Sequence, residues 1–179
     1  MLVPGQPPIP PFPQSAIVNE GSDGHINFVK GKTYRVRLIS FAAFAAAFLH
    51  FDSHTMSIIM IDGSYVKNES TYQIRLSPAQ RYDFLITASD RDKRNYPFLV
   101  ALDINRDYVN DAAPAYPNNF TGQLVMDTTK AFTTDVVSSF SPQDDSKLVP
   151  YDGAAAYGPV TTTLTMNFAF CTDVNNIPR

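Results

Sequence analysis

The apolar positions along this chain fall into short alternating runs rather than long helical stripes. Tyr34-Arg35-Val36-Arg37-Leu38-Ile39 puts Tyr34, Val36 and Leu38 on one face and both arginines on the other, the period-two pattern of a half-buried strand. Lys30-Gly31-Lys32 supplies a turn before it, and residues 56–61 form a β-branched apolar run closed by the turn dipeptide Asp62-Gly63. Residues 72–76 alternate again and stop at Ser77-Pro78. Residues 82–87, 97–102, 122–126 and 161–170 complete the predicted strands, with a polar turn over 89–95. Strands about ten residues apart with turn chemistry between them predict an all-β antiparallel sandwich or barrel.

One stretch has a different period. Phe41, Phe44, Phe48 and Phe51 recur at steps of three, four and three with alanines between them. Alone, that spacing predicts a short helix passing into a strand near Leu49. Residues 103–120 and 128–160 are long, polar and punctuated by Pro and Gly, which predicts loops that are functional or packed against a neighbour. Residues 1–13 hold Pro4, Pro7, Pro8, Pro10, Pro11 and Pro13, enough to force an extended path that reads as a linker or edge.

Composition narrows the chemistry. The chain has 179 residues, a length for one domain with a sizeable core. Fourteen basic against 17 acidic residues leave a net charge of −3, with no Lys/Arg run longer than two, so a nucleic-acid footprint is missing. The longest apolar run, residues 41–49, falls short of the ~20 residues a membrane span needs. One Cys and three His allow no internal disulfide and at most one small histidine-based metal centre. Met1-Leu2-Val3-Pro4 has neither the basic n-region nor the apolar h-region that predicts a signal peptide, yet Asn68-Glu69-Ser70 and Asn119-Phe120-Thr121 are N-glycosylation sequons. That combination predicts a secreted protein or part of one.

Few residues offer local chemistry. His50, Asp52 and His54 would share one face of a strand, as ligands for a divalent metal. On a straight strand they would spread over about 13 Å, too far for one ion, so a polar edge with one hydrogen-bonded histidine is the plainer reading. His25, in a Gly-rich turn, reads as surface. Asp144-Asp145 is either a cation-attracting pair or two solvated acids. Cys171 has no basic neighbour to lower its pKa. No phosphate loop, nucleophile elbow or Cys-x-x-Cys occurs.

Residues 13–90, taken in order, resemble the second cupredoxin domain of fungal multicopper oxidases, closest to the ferroxidase and conidial-pigment oxidase branch. The resemblance is carried by Pro13-Gln14-Ser15-Ala16-Ile17-Val18-Asn19 and the strand Lys32 to Ile39. It continues through His54-Thr55-Met56-Ser57-Ile58-Ile59-Met60-Ile61-Asp62-Gly63 and Ser77-Pro78-Ala79-Gln80-Arg81-Tyr82-Asp83. Both sequons and the Pro150-Tyr151…Tyr157-Gly158 stretch fall at similar places. Residues 91–120 match poorly.

The resemblance implies a Greek-key β-sandwich of the cupredoxin type, with long loops and little helix. The Phe/Ala stretch then becomes a connector with at most a turn of helix, running into the strand that carries His54. Enzymes of this family take electrons from substrate at a blue copper and reduce dioxygen to water at a trinuclear cluster. Their His-x-His and His-Cys-His ligand motifs lie in the first and third domains and are missing here. His54 matches a histidine that does not bind copper. No copper is therefore expected on this chain, and copper is expected in neighbouring domains. In the iron-oxidising branch an acid precedes the Pro-x-Pro-Gln segment, where this chain has Pro10. A second acid falls near Asp144-Asp145, and the Asp that approaches phenols in laccases is matched best by Asp62. These three are the substrate-pocket candidates, although an Asp-Gly turn caps backbone amides in its own right.

The expected organisation is a linker over 1–13, a single cupredoxin-like domain over 14–170 and a tail over 171–179 leading toward a next domain. The expected role is a spacer that holds the first and third cupredoxin domains of a secreted oxidase of phenols, pigment precursors or Fe(II). Alone the chain is expected to be inactive. The alternative is a stand-alone cupredoxin-like binding protein without redox chemistry.

Overall fold

In the computed structural model, the described residues are 17–19, 24–42, 45–89, 94–103, 119–134, 137, 139–155 and 158–167. Residues 13–154 form one compact unit and residues 1–12 with 155–179 a second. In the second, the described residues are exposed and carry no strand. The strand expected over 161–170 is thus not formed over 161–167, and its last three residues lie outside the described ones. Alternation alone makes no strand without an edge to pair with.

Alternation does decide β2 (Thr33–Ile39) and β7 (Arg81–Thr87), which pair antiparallel through all seven residues. Tyr82, Phe84 and Ile86 point into the core, and Arg35 and Arg37 outward. On the other side of β7 lies β4 (Met56–Ile61), and beyond it β5 (Ser64–Thr71), giving a four-stranded sheet in the order β2-β7-β4-β5. A bulge in β4 between Ile58 and Met60 shifts its register with both neighbours, which bends the sheet locally.

The second sheet has the order β1-β9-β8-β3-β6. Its strands are β1 (His25–Asn27), β3 (Ala47–Phe51), β6 (Gln73–Leu76), β8 (Tyr96–Leu102) and β9 (Asn119–Val125). β1 runs parallel to β9; the other pairs are antiparallel. In chain order the strands cross from sheet to sheet, the connectivity of a Greek-key sandwich rather than a meander. Between the sheets lies a core of Phe51, Met56, Ile58, Ile74, Tyr82, Phe84, Ile86, Tyr96, Phe98 and Leu124.

Phe41 starts no helix. Phe41 is 91% exposed, residues 41–42 and 45–46 have no regular structure, and β3 begins at Ala47. From there Leu49 and Phe51 enter the core while β3 pairs with β6 and β8; two ladders and alternate burial outweigh helical spacing. Nor does a strand carry His54. The chain turns at Asp52-Ser53, where Ser53 takes φ +57°, and His54 lies between β3 and β4.

Gly122 in β9 is a packing requirement. A Cβ there would stand 2.2 Å from the Phe98 ring and 2.5 Å from the Gly24 carbonyl oxygen. The parallel β1–β9 contact depends on that close approach.

Candidate functional site

The motif Ser77-Pro78-Ala79-Gln80-Arg81-Tyr82-Asp83 forms the turn into β7, and each polar side chain in it has a partner. Gln80 Oε1 accepts the Ser77 amide at 2.9 Å, while its Nε2 donates to Asp145 at 2.9 Å. Arg81 pairs with Asp62 at 3.0 Å, and its amide donates to the same carboxylate. Tyr82 is buried to its hydroxyl, which donates to the other oxygen of Asp145. Burial, and then the hydrogen bond to Asp145, push the Tyr82 phenol up from its ordinary value.

Asp83 points outward yet is 3% exposed, because arginines close over it. Arg35 Nε donates at 2.8 Å and Arg37 Nε stands 3.7 Å away, both on the Oδ2 oxygen of the carboxylate. The Asp83 hydrogen bond, and then one with the Tyr65 side chain, hold the Arg35 guanidinium above its usual value. The ladder explains the pattern, since Arg37 lies directly opposite Asp83 on the paired strands.

Within the loop predicted over 128–160, the described residues 139–151 form a strap. Ser141 and Gln143 donate their amides to the Gln73 side chain and backbone on β6. Phe140 stacks on Phe48 at 4.5 Å. Farther on, a 3₁₀ turn over Asp145–Lys147 is capped by Asp144, whose carboxylate accepts the Ser146 amide and hydroxyl. Those bonds hold the Asp144 carboxyl below its ordinary value. Val149, Pro150 and Tyr151 then pair along β5 at Lys67, Val66 and Tyr65, covering part of an edge strand.

The structure therefore places the three carboxylates in one interlocked region. Asp62 ties β4–β5 to Arg81, Asp145 ties the strap to Tyr82, and Asp144 caps the turn beside it. Asp62 and Asp144 are also exposed at the surface.

His50, Asp52 and His54 are not brought together on a face. His50 Nδ1 bonds the Tyr72 carbonyl at 3.0 Å. Asp52 pairs with Arg94 at 3.0 Å and accepts the Ser53 hydroxyl. His54 is buried, with Nδ1 at 2.7 Å from the Asp52 carbonyl and Nε2 at 3.1 Å from the Ser89 amide. An amide must donate, so Nε2 accepts and Nδ1 carries the proton. The ring lies edge-on to Tyr96, whose face is covered by Arg94. His25 is exposed on β1 against Phe132.

Copper needs converging imidazole or thiolate donors. Among the described residues no three His, Cys, Asp or Glu side chains come together to hold a metal, and both ring nitrogens of His54 are engaged. These residues do not fit a copper centre. Cys171 and the Pro10 position lie outside the described residues. The sequons are Asn68, exposed on β5, and Asn119, exposed at the start of β9.

Sequence reasoning missed Asn95, read as part of a polar turn. It is fully buried; its Oδ1 accepts the Met126 and Asp127 amides and its Nδ2 donates to the Asp127 and Lys130 carbonyls. Nothing in its local pattern distinguishes it from a surface Asn.

Known proteins are similar to this chain in sequence and in the sandwich. The chain is 35% identical over 145 residues to the iron transport multicopper oxidase fetC of Epichloe festucae, covering 80% of this chain and 23% of the relative. It is 34% identical over 143 residues to the iron transport multicopper oxidase FET3 of Gibberella zeae, covering 79% and 23%. Thus the chain spans about a quarter of the length of these curated relatives. The crystal structure of Fet3p, a multicopper oxidase that functions in iron import, superposes with a TM-score of 0.85 at 28% identity, over 95% of this chain and 32% of that one. A laccase from Botrytis aclada shares the fold, with a TM-score of 0.58 at 24% identity over 73% of this chain and 24% of that one. A model of the family described as multicopper oxidase matches residues 3–123, well over half of the chain. With its sandwich and β7 motif explained by packing and the likeness running through sequence and fold alike, this chain belongs to the multicopper oxidase family.

Proposed function

We propose that this chain is the copper-free middle domain of a multicopper oxidase and acts as a scaffold between copper-bearing first and third cupredoxin domains. The observation that carries the proposal is the state of the histidines inside a cupredoxin-type sandwich. His54 is spent on Asp52 and Ser89, and His50 on the Tyr72 carbonyl. The span of about a quarter of the relatives' length supports a role as one domain among several.

The whole protein, on this reading, is secreted and oxidises Fe(II), a phenol or a pigment precursor while reducing dioxygen to water. The iron-transport relatives favour Fe(II). No helix among the described residues is long and apolar enough to cross a membrane. The proposed domain covers 14–170, with 1–13 and 171–179 as connections. Asp62, Asp144 and Asp145 lend loops to the substrate side through the interlocked region around β7.

Copper content of the full-length protein tests this. Replacing His25 and His50 by Gln is expected to leave copper per chain and the oxygen-uptake rate unchanged. Loss of copper from either variant overturns the proposal, as does appreciable turnover of Fe(II) or a phenol by residues 1–179 alone.

A further inference from the structure

Among the described residues the four-stranded sheet ends at β2, which pairs on one side only. The Ala88 amide donates to the Lys32 carbonyl and the Ser40 amide to the Gln80 carbonyl. Antiparallel pairing alternates, so the backbone groups of Tyr34, Val36 and Leu38 also face β7. Those of Arg35, Arg37 and Ile39 face the other way, along an open edge.

The core is unfinished along the same edge. Tyr34, Val36 and Leu38 pack against it yet stay only half-buried. Ile86, Phe84 and Tyr82, directly opposite them on β7, are 1%, 0% and 1% exposed. At β5, the other edge of this sheet, Pro150 bridges to Val66, and Val66 is buried. A covering chain thus completes the burial of an edge strand, and β2 lacks one. Nor is β2 built to face water. Edges kept for solvent are shortened, bulged, or given proline or inward charge. β2 runs seven residues in unbroken register with Tyr, Val and Leu inward, and exposed Val29 and Ile39 extend the apolar strip at its ends. Its charges lie outside the core: Lys30, Lys32, Arg35 and Arg37 are all exposed, and the two arginines share the single carboxylate of Asp83.

We propose that an extended segment of the whole protein, from outside residues 1–179, pairs with the edge of β2 and adds a fifth strand to this sheet. Its backbone meets the N–H and C=O groups of Arg35, Arg37 and Ile39. Its apolar face completes the core beside Tyr34, Val36 and Leu38, and acidic side chains on its outer face meet Arg37 and the two lysines. The proposal rests on the reading of this chain as one domain among several. The chain spans about a quarter of the relatives' length, so the rest of such a protein holds the segment.

Amide exchange in the full-length protein, read residue by residue by mass spectrometry, tests it. On an open edge the Arg35 and Arg37 amides exchange far faster than those of Val36 and Leu38, which bond to β7. The expected result is protection at Arg35 and Arg37 within about tenfold of Val36 and Leu38, and a wider gap overturns the proposal. Arg37→Pro removes an outward N–H and keeps the bonds to β7. It is expected to speed exchange at Arg35 about tenfold or more while Val36 and Leu38 stay protected. Arg37→Ala loses the same charge and is expected to leave Arg35 protected; equal exchange at Arg35 in the two variants overturns the proposal. Should Arg37→Pro fail to fold, the comparison within the unmodified protein decides alone. Protection that falls on dilution of a dimer, seen by light scattering, assigns the edge to a second copy and also overturns it. None of these results alters the copper measurements, so the two readings fail separately.

Discussion

Tyr82, buried in the core from β7, donates its hydroxyl hydrogen to Asp145 on the strap, joining the sheet to a loop 63 residues away. This bond and burial both favour the neutral phenol, so Tyr82 titrates higher in the folded chain than in the unfolded one. A raised folded value means the contribution is intact below the unfolded value near 10. It is lost as pH rises above that, because the unfolded chain then binds fewer protons than the folded one. Stability is expected to fall by up to about 1.4 kcal/mol for each pH unit above 10 from this group alone. Tyr82→Phe should cost about 1 kcal/mol at pH 7 and should remove that part of the alkaline slope. Urea midpoints of both proteins at pH 7, 9 and 11 give the comparison; parallel slopes would sink the assignment.

The pairing of Asp83 with Arg35 predicts an asymmetry. Asp83 is buried while Arg35 and Arg37 have side chains 37% and 72% exposed. Removing the acid leaves guanidiniums that water can solvate, whereas removing the guanidinium leaves a buried carboxylate with a weak partner at 3.7 Å. Asp83→Asn is expected to cost about 1–2 kcal/mol, and Arg35→Met distinctly more. Thermal melts of the two variants rank the losses, and the opposite ranking would contradict the burial argument.

How much of this was legible in the sequence depends on which force set each element. β2 and β7 were readable because half-burial imposes alternation on both strands of a pair. β5 was missed, since Ser-Tyr-Val-Lys-Asn-Glu-Ser-Thr is mostly polar and buries only Val66 and Thr71. Edge strands carry charge to block further pairing, and that charge conceals them. The Phe41 spacing misled because two neighbouring strands claimed residues 47–51. The order of motifs pointed to the family, but the tasks of Gln80, Arg81 and Tyr82 depend on Asp62 and Asp145, partners distant along the chain. Local pattern carries no information on such pairs.

Gly122 tests how closely the two halves of the five-stranded sheet are fitted. Gly122→Ala places a methyl carbon within 2.5 Å of the Phe98 ring and the Gly24 oxygen, so one of them must move. The backbone oxygen belongs to the residue before β1 and cannot rotate away as a side chain would. A loss of about 1–3 kcal/mol is expected, with exchange protection lost first in β1 and the adjoining end of β9. Gly122→Ala with Phe98→Leu relieves the ring contact alone. A double variant as stable as the wild type would show that the ring, not the β1 approach, demanded glycine.

His54 separates a structural histidine from a metal ligand. His54→Gln retains an acceptor and a donor but not the ring geometry, so it should lose part of the Asp52 and Ser89 bonds and the edge contact with Tyr96. His54→Leu removes both bonds and leaves the Ser89 amide without its acceptor, at an expected cost of about 2–3 kcal/mol. A ligand would behave in the reverse order of readouts, with copper lost before stability. In the full-length protein both variants are therefore expected to melt earlier in the order Leu before Gln before wild type. Copper per chain and the blue-copper absorbance of the folded fraction should stay unchanged. Copper depletion in the well-folded Gln variant would assign His54 to a metal and remove the main support for a scaffolding domain.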